Sequence, residues 1–109
     1  MELCIPIATL SGDPTWYVAL NRPCRLVDVT SVVQTAVTTN DVTVTLSDGT
    51  TTIGTVTVAA GSAAAAVDGF TWAANVELGP SLPLKIVCSG TPGAGTIVLT
   101  LTFSEYHVA

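Results

Sequence analysis

Hydrophobic and polar residues alternate along much of this chain, most sharply between Asp41 and Ala59, DVTVTLSDGTTTIGTVTVA. Val42, Val44 and Leu46 alternate with Thr43 and Thr45, and Val56 and Val58 with Thr55 and Thr57. A period of two gives each run one apolar face and one hydroxyl face, the mark of a half-buried β-strand. Asp48-Gly49 tolerates positive φ, so the two runs predict an antiparallel hairpin, joined by a loop over about Ser47 to Thr51. Near the other end, Ile97, Leu99, Leu101 and Phe103 alternate with Val98, Thr100, Thr102 and Ser104, which predicts a core-lining strand.

The rest of the chain fits the same scheme. Residues 3–9, LCIPIAT, predict a first strand, and Pro6 confines it to an edge or a bulge because proline donates nothing to a ladder. Ser11 to Pro14 is a turn cluster, and Trp16 to Leu20 predicts a second strand. Residues 1–21 therefore read either as an edge strand or as an extended N-terminal arm that pairs with a neighbouring subunit. Between Cys24 and Ala36 the apolar phase slips. Val27, Val29 and Val33 share one parity while Leu26 and Val32 lie on the other, so a bulge or a strand covered on both faces is expected. Gly54, after Ile53, predicts a second bulge.

Ala60 to Val67, AGSAAAAV, has helical propensity but is too short for a stable isolated helix. An extended or turn-like connection is the favoured reading, with a single helical turn as the alternative. Strand follows over Phe70 to Ala73, a Gly/Pro loop over Glu77 to Pro83, and strand again from Leu84 to Cys88. Ser89 to Gly95 closes a hairpin. About eight strands result, with turns at regular intervals. The expectation is a single all-β domain over residues 1–109: an antiparallel two-sheet β-sandwich of jelly-roll type.

Composition changes this picture in one respect. The chain has 109 residues, 49% hydrophobic and only 10% charged, where a charged fraction near 25% is usual. A protein so poor in charge covers its surface with Thr and Ser or with another protein, which points to an oligomer or a component of a larger assembly. A net charge of −5 with three cations, Arg22, Arg25 and Lys85, argues against nucleic acid and against an anionic membrane surface. No apolar run nears the roughly 20 residues of a membrane span, and the acidic N-terminus does not read as a secretory signal. Cys4, Cys24 and Cys88 have no zinc-ligand spacing and each falls in an apolar strand pattern, so reduced core thiols and a reducing cytoplasm are expected, with a single disulfide between two of them as the alternative.

Candidate chemistry is sparse. His107 stands alone near the C-terminus beside Tyr106, the SGTPGAG loop lacks the Lys-Ser/Thr end of a phosphate loop, and the carboxylates are scattered singly. No catalytic, cofactor or metal residues are assigned, and an enzyme is not expected. Trp16, Tyr17, Trp72 and Tyr106 are either packing residues or exposed anchors for a partner subunit or a sugar ring.

Laid end to end, DVTVTLSDGTTTIGTVTVAAGSAAAAV, an aromatic segment and LPLKIVCSGTPGAGTIVLTLTF resemble small β-sandwich virion proteins of tailed bacteriophages. The resemblance covers roughly Arg22 to Phe103 and is closest to capsid decoration, or cement, proteins. It implies a jelly roll on the outer capsid surface that bridges neighbouring major capsid proteins and stabilises the head. Copies of itself would be its other partners, with a trimer favoured over a dimer. The position and apolar content of the N-terminal segment add Leu3 and Ile5 to the aromatic residues as candidate subunit or capsid contacts. The alternative is a tail, neck or fibre component with a receptor- or carbohydrate-binding sandwich; an enzyme on the same scaffold is a third class.

Overall fold

Ten strands carry almost all of the regular structure in the computed structural model, which describes residues 2–7, 10–20 and 22–105. They are β1 (Glu2–Ile7), β2 (Thr15–Val18), β3 (Cys24–Thr38), β4 (Val42–Ser47), β5 (Thr52–Val58), β6 (Val67–Asp68), β7 (Thr71–Trp72), β8 (Glu77–Leu78), β9 (Leu84–Ser89) and β10 (Ala94–Glu105). A single 3-10 turn, Leu10–Gly12, links the first two.

Two antiparallel sheets share these strands. The first runs β1-β10-β3-β6, with β8 also on β3, and the second runs β2-β9-β4-β5-β7. One folded ribbon explains both orders. Pairing starts at the β4–β5 hairpin and continues outward through β3 with β6, β2 with β9 and β1 with β10. Doubling the ribbon over then sets β9 beside β4 and β10 beside β3. This is jelly-roll topology.

Alternation decides what the sheets enclose. Val42, Val44 and Leu46 of β4, Leu84, Ile86 and Cys88 of β9, and Ile97, Leu99, Leu101 and Phe103 of β10 all point inward into one core cluster. Full burial of each such aliphatic or aromatic chain contributes on the order of 1.5–3 kcal/mol. The central hairpin turns over Asp48–Thr51, with Gly49 at φ 99°. The Asp48 carboxylate accepts the N–H groups of Thr50 and Thr51 at 2.8 and 2.6 Å, and these bonds hold its carboxyl below the usual range.

Both expected irregularities are present. In β3, Leu26 pairs with Phe103 and Asp28 with Thr102, leaving Val27 as the extra residue of a bulge and 45% exposed. In β5, Ser47 pairs with Thr52 and Leu46 with Gly54, so the extra residue is Ile53, one place before the glycine. The alanine-rich segment is not helical. It runs beside β3, where Ala65 N–H donates to Val33 O and Val37 N–H to Ser62 O.

Several details differ from expectation. Residues 89–95 close no hairpin, because β9 belongs to the second sheet and β10 to the first, so this loop crosses between the sheets. Glu77–Leu78, expected in a loop, forms β8 against β3. Cys24 and Cys88 are buried, but Cys4 is exposed, because it lies opposite Thr100 on the outer face while its neighbour Ile5 points inward. Phe70 is not in a strand; only Thr71 and Trp72 pair with β5. Asp68 ends β6 opposite the fully buried Ser31, and each carries a buried oxygen without a protein partner.

Candidate functional site

β2 and β7 are the two outermost strands of the second sheet, and each carries a tryptophan. Trp16 pairs with Ile86 and Trp72 with Gly54, and both partners are buried inward positions. Each tryptophan therefore lies on the inner side of the sheet, at one of its two margins. Both are exposed, Trp16 at 42% and Trp72 at 43%.

The β2 edge is a bare ladder edge. Its sequence, Thr15-Trp16-Tyr17-Val18, contains no charge and no proline. Every other sheet edge is shorter or carries a feature that discourages pairing: Glu2 and Pro6 in β1, Asp68 in β6, Glu77 in β8, and only two residues in β7. Short length, charge and proline are the usual protections of an edge against strand addition, and β2 has none except its modest length. Tyr17, 65% exposed, points to the outer face, where the Lys85 ammonium lies 5.9 Å from its ring centroid.

Loop bonds fix where β2 begins. The Asp13 carboxylate accepts the N–H and the hydroxyl of Thr91, both at 3.0 Å, and Asn40 Nδ2 donates to Thr91 O at 3.0 Å. Pro14 O accepts the N–H of Cys88 at 2.9 Å. Burial, with a smaller contribution from the Asp13 charge, pushes the Cys88 thiol up to about 11.

The β7 margin is built differently. Phe70 meets Trp72 edge-on, with ring centroids 4.7 Å apart and planes at 89°. A Cβ at Gly54 would overlap the Phe70 ring and the Thr71 carbonyl, so glycine is what admits the ring there. Beside Trp72 lies an open hollow of about 330 Å³ lined by Arg25, Leu26, Val27, Asn75 and Ser104. A second, of about 350 Å³, is lined by Trp72 to Asn75.

The six sequence candidates separate accordingly. Trp16 and Tyr17 stand together on β2, and Trp72 is at the opposite margin of the same sheet. Ile5 is corrected: its side chain lies in the core, because β1 directs it inward opposite Leu99. Leu3 pairs through its backbone with Leu101, its side chain falling outside the described residues, as does Tyr106 entirely. Arg25, Val27, Asn75 and Ser104 went unnoticed in sequence; only the phase slip at Val27 hinted at them. Among the described residues no three His, Cys, Asp or Glu side chains come together as a metal site would need. Comparison with family models, with curated proteins and with solved structures found no match.

Proposed function

We propose that this protein is a capsid decoration protein of a tailed bacteriophage, binding the outer head surface and bridging neighbouring major capsid proteins. The observation that carries the reading is the β2 edge: an uncharged, proline-free strand at a sheet margin, flanked by two exposed aromatic rings. An extended segment of the capsid protein, or β2 of a second copy, adds to this edge through main-chain hydrogen bonds. Each such bond contributes a net of about 0.5–1.5 kcal/mol, and Trp16 and Tyr17 supply the anchoring contact area. Several weak edges joined in a trimer or dimer would hold more firmly than any one of them. The jelly-roll fold, the charge-poor composition and the resemblance of residues 22–103 support the same reading.

Quantitative mass spectrometry of purified virions against the major capsid protein tests it. A copy number near a simple fraction of the capsid protein is expected. A handful of copies moves the protein to the neck or tail, and absence from the particle rejects a virion role. Because the edge is uncharged, attachment is expected to survive washing in high salt. Release at moderate salt would show an interface held by ion pairs.

A further inference from the structure

We infer that the groove on either side of Trp72 is a binding site for a neutral carbohydrate. This rests on neither a head nor a tail location, and the groove lies across the sheet from β2, so pairing at that edge leaves it open.

Rigid support is the first ground. The Trp72 indole, 43% exposed, packs against the edge-on Phe70 ring, which lines neither hollow. Phe70 in turn occupies space that exists only because residue 54 has no Cβ. A ring held this way loses little freedom when a ligand stacks on it, which favours affinity.

Shape is the second. Trp72 and Asn75 line both hollows, so the two depressions share two residues and lie close together. Hollows of this arrangement suit an extended chain of small units crossing a single aromatic platform. The β3 bulge contributes by turning Val27 out onto one wall, where a regular strand would have continued its alternation.

Donor chemistry is the third. Asn75 offers an amide and Ser104 a hydroxyl, groups that both donate and accept and so match sugar hydroxyls. Arg25 also lines the hollow, and Glu77 is its Cα partner in the β3–β8 register. With a net charge of −5 the whole chain also repels polyanions. A pyranose presents an apolar C–H face and a rim of hydroxyls, which is what one indole face beside uncharged hydrogen-bonding groups recognises.

The test uses the full chain carrying Trp16→Phe, which leaves Trp72 as the sole tryptophan. Malto-, cello- and N-acetylglucosamine oligosaccharides are titrated while its fluorescence is followed. At least one series is expected to give a saturable change that high salt leaves unaltered. In the wild-type background, followed by calorimetry, Trp72→Ala should weaken binding at least about tenfold. Asn75→Ala, which keeps the ring, should weaken it a few-fold. Retention of full affinity in both variants overturns the assignment. So does the lack of a saturable change with every series, or saturation only by heparin.

Discussion

The two margins of the second sheet begin from the same material and end differently. Each presents one tryptophan, on the same side of the sheet and at nearly equal exposure. At β2 the tryptophan sits in a four-residue ladder with its outer backbone edge open to another strand. At β7 the ladder stops after two residues, and the chain instead folds an aromatic pair over a hollow. The difference lies in the neighbours rather than in the tryptophans. β9 offers β2 side chains at every step, whereas β5 offers Gly54, whose vacancy Phe70 takes. A margin finished with backbone suits strand addition; one finished with side chains suits a small ligand.

Substitutions can break this contrast in graded ways. The largest effect should come from Leu99→Ala, which strikes the core beneath both margins. Leu99 is fully buried between Ile5 and Ser31, and its truncation should destabilise the fold by about 2–5 kcal/mol, read from urea or heat unfolding. Both margins should fail together in that variant.

Gly54→Ala should damage β7 alone. The new methyl meets the Phe70 ring and the Thr71 backbone, so Phe70 must leave its seat, at a cost of about 1–3 kcal/mol. Fluorescence of Trp72 in the Trp16→Phe background should shift, while assembly through β2, measured with Trp16 in place, persists. An unchanged spectrum would show that Phe70 is not what holds the indole.

A pH change should act on the β2 side. The Cys88 thiol is raised from 9.0 to about 11 in the folded protein, and its N–H holds Pro14 at the entry to β2. Between these values the folded chain keeps a proton that the unfolded chain releases. The contribution is thus complete below about pH 9 and is lost as pH rises through about 11, on the order of 2 kcal/mol in all. Cys88→Val should flatten stability across that window. The smallest effect is chemical: a thiol reagent at neutral pH should label Cys4 in the folded protein, and Cys24 and Cys88 only after unfolding.

How much of this was legible in the chain depends on the distance over which each feature is determined. The β4–β5 hairpin is local, and Val–Thr alternation around Asp48-Gly49 suffices to place it. The bulge at Val27 left a visible phase slip, since an extra residue must shift the inward parity. Orientation was less accessible. Cys4 was expected inside because its neighbours are apolar, yet the parity of β1 is set by its pairing with β10, nearly a hundred residues away. The groove was invisible for the same reason. It draws on residues 25–27, 72–75 and 104, which only the folded ribbon brings together.

The place of β10 has a consequence for how the chain reaches this state in a cell. It is last of the strands in chain order, yet it lies between β1 and β3 in the first sheet. While the chain is being synthesised, β1 therefore waits without its partner and β3 lacks its longest one. Half of the sandwich stays incomplete until the ribosome has released the final strand. The β4–β5 hairpin forms early because it is local, whereas closure of the first sheet is a late event that spans the whole chain. In that interval the nascent polypeptide displays apolar strands to its neighbours, and crowded translation of many copies would favour aggregation. A β-sandwich of this design, made in many copies, would depend on chaperone occupancy more than its size suggests.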